Sequence, residues 1–505
     1  MDNENIILPE TDDNVDKIPI KDIGKIGKDP KMQSEQNEDA PAEEMTEVEE
    51  NIEQEEQDEL DEPAEKHRIK RKKRCRRALA SIAILLAFCI IFGSFAAIFS
   101  KKGTLSNIEL AASFKSAAKD YQLKPEIDEE GNYYFTTNGA FKILQLTDIH
   151  IGGGFMSTGK DAKALQAVAT IVQHEKPDLV IVSGDIAYPV PFQAGTFNNK
   201  NGAKIFATLM ETLHCYWTVS LGNHDTEAYS YYDRKAISEF YSSPEFTYCI
   251  YTPGPEDVDG QGNQIIKVVN TAGLIVQGIV ILDSHSYTDG DILGIQWKYD
   301  NVHKNQVQWY EQQIEKMKSE NVMKLYSIDD QYFKDHKAFN TVNSLLFLHI
   351  PLVEYKDAWM EFANNGYKDT EDVKYIEGII GETGRMIYHG MHEDDLFEKI
   401  LKLKSTKAVF CGHDHFNNIT INYKGVDLSY GYSIDYLAYP GIDKEGSQRG
   451  ATVIEIDKFG AHTISKYNLY SGRYNLPEGF DDDIVMQFED VTFQYFEDGK
   501  EGITE

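Results

Sequence analysis

The stretch FKILQLTDIH, residues 141–150, decides the fold. Phe141 to Leu146 is an apolar run with the β-propensity of a buried strand, and it stops on Thr147-Asp148-Ile149-His150. A helical stretch follows: in DAKALQAVATIVQHEK (161–176), Leu165, Val168, Ala169 and Val172 fall on one face. Pro177-Asp178 stops that helix, and DLVIVSGD (178–185) reads as a second strand ending in Gly184-Asp185. KIFATLMETLH (204–214) then leads into YWTVSLGNHD (216–225). LIVQGIVILDSH (274–285), SLLFLHIP (344–351) and KAVFCGHDH (407–415) repeat the plan without being similar enough to form internal repeats. Apolar strands separated by helices predict an α/β protein, and ligands of open α/β sheets sit beyond the carboxyl ends of the strands.

A single strand-end Asp is commonly a helix cap, and a single buried His is commonly a core group. Here five strands deliver such residues to one edge, three of them in Gly-flanked motifs. Asp148, His150, Asp185, Asn223, His349, His413 and His415 offer carboxylate, imidazole and amide oxygen. Mixed N/O donors suit Mn, Fe, Zn or Ni better than calcium or a thiolate zinc site. Seven donors exceed one tetrahedral ion but suit two ions that share a carboxylate. Such a pair holds a hydroxide and clamps phosphoryl oxygens during in-line displacement.

The series Asp148-Ile149-His150, Gly184-Asp185, Gly222-Asn223-His224-Asp225, His349 and Gly412-His413-Asp414-His415 resembles the calcineurin-like metallophosphoesterase superfamily, from about residue 140 to 456. GNHD and GHDH, with FLHIPLVEY between them, are most similar to its purple-acid-phosphatase-like branch; YGYSIDYLAYPG (430–441) resembles that branch less strongly. The resemblance implies a four-layer α/β/β/α sandwich and two divalent or mixed-valence ions. It implies Asp148, His150 and His415 on the first metal, Asn223, His349 and His413 on the second, and Asp185 bridging both. His224 would protonate the leaving oxygen or steady the phosphate, and Asp225 would orient His224. The implied reaction is hydrolysis of phosphate esters by hydroxide held on the metals, most readily monoesters. The alternatives are a phosphodiesterase acting on nucleotides or phospholipid head groups, and a non-catalytic binding module.

Gly184-Asp185-Ile186-Ala187-Tyr188 also matches the form in which true purple acid phosphatases bind ferric iron through Tyr, although those usually lack a histidine where His150 stands. Two residues thus compete for one coordination position. We assign it to His150, leave Tyr188 either to support the metal ligands from behind or to pack, and expect a colourless protein. Weaker features carry paired readings. Gly152-Gly153-Gly154 would approach a phosphate or form a flexible turn. His285 would touch substrate or belong to the rim or core. Arg449 would pair with phosphate or lie on the surface. Residues 229–241 would form a lid or an ordinary helix, and the loops 252–264 and 286–302 would border the mouth.

The rest of the chain sorts by charge. It carries 83 acidic and 50 basic side chains, net −33, which argues against nucleic-acid partners. Residues 1–66 hold 24 acids, 6 bases and no aromatic residue, and are expected to be a disordered cytoplasmic tail whose protein partners the sequence does not name. Residues 67–77 hold 8 Lys/Arg and no acid; residues 78–99 hold no charge at all. At 1.5 Å per residue the uncharged run reaches about 33 Å, enough for one transmembrane helix. The excess of positive charge before it predicts a cytoplasmic N-terminus and an extracellular or lumenal body. We expect residues 100–138 to be a stalk, 139–470 the phosphoesterase domain and 471–505 an acidic extension. Among the five cysteines, one bridge within Cys215, Cys249 and Cys411 is open as an expectation, and Asn418-Ile419-Thr420 is a glycosylation sequon.

Overall fold

The structure is a computed structural model that describes residues 46–288, 298–328, 331, 339–392, 394–439, 442, 449–477 and 480, with side chains from 66 onward. Most of the expected tail and C-terminal extension, and residues 289–297 of one mouth loop, lie outside the described residues. The chain divides into two compact units, Met1–Leu86 and Ala87–Glu505. In the first, the described residues are helical and the described side chains are exposed.

Helix α1 (Thr46–Ala111) therefore begins inside the segment expected to lack fixed structure. Its Glu- and Gln-rich start is made of good helix formers, and propagating a helix already nucleated costs little. Within the chain, the helix over Lys66–Ala111 is long and apolar enough to cross a membrane.

In the second unit fourteen strands are described: β1 (Glu126–Ile127), β2 (Tyr133–Thr136), β3 (Phe141–Leu146), β4 (Leu179–Ser183), β5 (Trp217–Ser220), β6 (Gln264–Val269), β7 (Ile275–Ile281), β8 (Asn343–Phe347), β9 (Val373–Glu377), β10 (Thr406–Cys411), β11 (Thr420–Tyr423), β12 (Val426–Tyr430), β13 (Gly450–Ile456) and β14 (His462–Asn468). They form a nine-stranded sheet, β1-β2-β6-β7-β8-β10-β12-β11-β9, and a five-stranded sheet, β14-β13-β3-β4-β5. The helices are α2 (Thr158–Glu175), α3 (Pro191–Ala194), α4 (Asn199–Leu213), α5 (Arg234–Tyr241), α6 (Lys304–Ser327), α7 (Val353–Asn364) and α8 (Leu396–Leu403).

Strand alternation builds the layers. In β3, Leu144 and Leu146 join the core shared with α2 and α4, while Phe141 and Ile143 face the other sheet. Between the sheets, Ile143, Ile181, Ile279, Phe347 and Phe410 form one cluster, and α6, α7 and α8 cover the far face of the larger sheet. This is the expected four-layer α/β/β/α sandwich. β3, β4 and β5 run parallel, as do β7, β8 and β10, and the site lies at their carboxyl ends.

Residues 100–138 are not a free stalk. Ser100, Thr104, Asn107 and Ala111 form a buried stripe at helical spacing. Thr104 Oγ1 donates to Gly153 O (2.9 Å) and Ser100 Oγ to Gly195 O (3.1 Å), while β2 pairs with β6. The sequon asparagine is buried, its side-chain oxygen accepting from Ile379 N (2.9 Å), so it is not a surface acceptor. All five cysteines are free thiols.

Candidate metal centre

Each expected donor lies a few residues beyond a strand: Asp148 after β3, Asp185 after β4, Asn223 after β5, His349 after β8, His413 and His415 after β10. Four of these loop residues, Asp148, His150, Asp185 and His413, have positive φ, a conformation that non-glycine residues adopt only when the surroundings enforce it. The enforcement is visible. Ile149 N and His150 N both donate to Asp185 O (2.9 and 3.0 Å), and His413 N donates to the Asp148 carboxylate (3.1 Å) across the two sheets. The motif glycines make this approach possible: a Cβ at Gly184 would collide with the His349 imidazole, and one at Gly412 with the Thr147 hydroxyl.

The seven expected donors converge. Asp148, His150, Asp185 and His415 each bring one donor atom within 4.8 Å of the others; Asp185, His349 and His413 do the same. Asp185 is the member of both groups. Its Oδ2 lies 3.4 Å from His150 Nε2 and 3.1 Å from His349 Nε2, while its Oδ1 accepts from His224 N (2.8 Å). Asn223 Oδ1 is 3.1 Å and His413 Nδ1 3.3 Å from His349 Nε2; His415 Nε2 is 3.4 Å from Asp148 Oδ1. Donors seated about 2.1 Å from one ion stand roughly 3.0–3.4 Å from their neighbours, so these buried spacings fit coordination by two cations that share one oxygen.

The supporting groups differ from expectation. Asp225 does not orient His224. Its carboxylate accepts from Asp185 N (3.0 Å), Ala187 N (2.8 Å) and Gly222 N (2.9 Å), fastening two donor loops together. Burial, and then Asp185, raise its carboxyl to about 6. The carboxylate on His224 is Glu227, whose Oε1 lies 2.6 Å from Nδ1. No motif contains Glu227; its position one helical turn after His224 was the available signal.

Asp435 was also missed. It lies 3.2 Å from His415 Nδ1 and 3.4 Å from His150 Nδ1, the second contact within charge reach but outside hydrogen-bond geometry. Its signal was an acid in the otherwise aromatic and apolar IDYLAY (434–439). Arg449 is buried rather than on the surface, its Nε donating to Asp435 O (2.8 Å) and its guanidinium lying over Tyr436.

Burial opposes the charge on Asp185, but the His349 and His224 imidazoles outweigh it and hold the carboxyl well below the usual range. Asp435 is also held well below the usual range, His150 and His415 overcoming its burial. Burial would lower His415, yet Asp148 and Asp435 raise it well above an ordinary imidazole; burial and the neighbouring His349 push His413 well below one.

The remaining candidates fall outside the donor cluster. Tyr188 packs its ring on His150 (4.6 Å between centroids) and donates from Oη to Gln193 Oε1 (2.7 Å). The Gly152 and Gly153 amides donate to Asp161 and not into the mouth. His285 bonds Gln306 and stacks on His303, and Asp283 pairs with Arg234. Within 229–241, residues 234–241 form α5. At the mouth, Tyr299 and Tyr439 stand edge-on to His413 and His415.

A family model described as calcineurin-like phosphoesterase matches residues 141–417. The chain is similar to probable inactive purple acid phosphatase 28 of Arabidopsis thaliana, 24% identical over 347 residues, 64% of this chain and 76% of that one. It is also similar to probable inactive purple acid phosphatase 14 of the same plant, 28% identical over 349 residues, again 64% and 76%. Among solved structures, a dimetal phosphatase from Danio rerio aligns with a TM-score of 0.40 at 10% identity, over 65% of this chain and 100% of that one.

Proposed function

The chain belongs to the calcineurin-like phosphoesterase family, and from that premise we propose that it is a membrane-anchored hydrolase of phosphate esters, most readily of monoesters. One observation carries the reading: a single Asp185 oxygen faces two buried donor groups at coordination spacing. Asp148, His150 and His415 would hold one cation, Asn223, His349 and His413 the other, with Asp185 common to both. When bound, the two cations supply an activated water and draw charge from the phosphoryl oxygens. The protein's own residues do the rest. Glu227 engages His224 Nδ1, which leaves Nε2 to hold the proton that the leaving oxygen needs. Asp225 fixes the backbone of both donor loops, so geometry is set before substrate arrives. The mouth tyrosines limit access of bulk water to the imidazoles behind them. The helix carries the anchor, and the basic run before it supports an N-terminus in the cytoplasm and a body outside or in a lumen.

The test is nitrophenyl phosphate against bis-nitrophenyl phosphate, using the metal-loaded full chain and its Asp185→Asn variant. We expect faster turnover of the monoester, and joint loss of turnover and metal in the variant. An Asp185→Asn protein that keeps both metals and full activity overturns the assignment. The relatives' names, which include the word inactive, favour a second reading: a binding module that keeps its cations without turnover. Wild type that holds two cations and hydrolyses neither ester would establish it.

A further inference from the structure

The region where α1 meets the body has a composition that a water-facing surface rarely has. Phe192 is 88% exposed, Tyr231 69%, Met156 52% and Phe197 42%. With Leu105 and Phe92 of α1, themselves about half exposed, they border an open hollow of ≈ 850 Å³. Contiguous exposed apolar surface of this kind marks a contact with a partner or a membrane. Lys101 and Lys204 stand on the same rim. Aromatic rings beside lysines are what the headgroup boundary of a bilayer selects, the rings lying at its edge and the ammonium groups among the phosphates.

Continuity identifies the occupant. The apolar side chains of α1 are exposed as far as Phe99, and the rim begins there without a break: Phe95 packs edge-on against Phe155, the neighbour of Met156. A medium that covers the exposed face of α1 must reach the rim. Three loops also tie the rim to the metal centre. The loop after His150 ends in Phe155-Met156, that after Asp185 in Phe192 and Phe197, and that after His224 in Tyr229 and Tyr231. Tyr188, in the second loop, touches both His150 and His224.

Resting on the reading that α1 crosses a membrane, we propose that this rim docks on the lipid surface from which the helix emerges. Its aromatic residues insert at the headgroup boundary, and the three donor loops hold the metal centre just behind it. The body is thereby seated on the leaflet in one orientation and does not swing on a tether.

Tryptophan depth measurement tests this on the full chain in vesicles whose lipids are brominated near the headgroup. Three variants are compared for emission above that of the four native tryptophans. Phe192→Trp reports the rim, and Phe92→Trp reports the helix. Tyr326→Trp reports the far edge of the body: Tyr326 is 86% exposed in α6, whose Asn321 accepts from Ile275 N at the amino end of β7. We expect the added emission to be lost at positions 192 and 92 and kept at 326. Loss at 92 alone overturns the docking while leaving the anchor intact. Loss at neither 192 nor 92 overturns both, and equal loss at 326 overturns the docking as non-specific adsorption. Because the native side chain at 192 is almost fully exposed, the substitution leaves the core untouched.

Discussion

The two halves of the donor cluster are supported differently. On the side of His150 and His415, both outer nitrogens face one buried carboxylate, Asp435. On the side of His349 and Asn223, the outer contacts are neutral: His349 Nδ1 meets Ser183 O at 2.8 Å, and Asn223 Nδ2 donates to the Tyr287 hydroxyl at 3.0 Å. A carboxylate behind an imidazole raises its basicity and fixes its ring, whereas a carbonyl or hydroxyl mainly fixes the ring. The first half should therefore hold its cation the more tightly. The second half does have a charged support, but one step removed: Arg234, paired with Asp283, donates to Leu221 O and Gly222 O ahead of Asn223.

The largest effect should come where the halves meet. Asp185→Asn should remove both cations and turnover together, read by metal analysis beside ester hydrolysis; a variant that lost one cation only would show that the halves are independent. Next, Asp435→Asn should weaken the first half alone, by about 10–100-fold in metal affinity, as losses of such supporting carboxylates do. Titration calorimetry should then resolve one weakened and one unchanged site, and equal weakening of both would erase the asymmetry.

The Arg234–Asp283 pair sharpens the comparison through pH. Burial works against the Asp283 charge, but Arg234 overcomes it and lowers the carboxyl to about 2. A depressed carboxyl contributes stability above its unfolded value near pH 4, and that contribution is lost as pH falls towards 2. Unfolding by denaturant should show Asp283→Asn less stable by about 2 kcal/mol at neutral pH, the gap closing in acid. A gap that does not change with pH would mean that the pair contributes shape and not charge. The smallest effect should be that of Tyr287→Phe. It removes two hydrogen bonds, the neutral one from Asn223 Nδ2 and a longer one (3.2 Å) donated to Glu227 Oε1, roughly 1 kcal/mol each, and should alter KM or kcat by no more than about 30-fold in steady-state kinetics.

What the sequence disclosed follows the same divide. Strands that end in acids and imidazoles are local patterns, so β3, β4, β5, β8 and β10 and their seven donors could be read directly. Asp435 touches His150 from 285 positions away, and nothing in its own neighbourhood requires that contact. Asp225 was legible as a motif residue but not in its role, because an acid beside a histidine fits either a ring or a backbone partner. The helix continuation was misread for a related reason: Ser100, Thr104 and Asn107 look like an ordinary polar linker until a docking surface is placed opposite them.

The cross-sheet bond from His413 N to Asp148 has a wider consequence. Asp148, His150, Asp185 and Asn223 come from loops of the smaller sheet, whereas His349, His413 and His415 come from the larger. Cations seated among them would rivet the two halves of the sandwich, so their binding energy would also be folding energy. Such a role persists whether or not any ester is ever cleaved. A chain starved of metal would therefore shed folded protein as well as turnover, and chelation should lower its melting temperature.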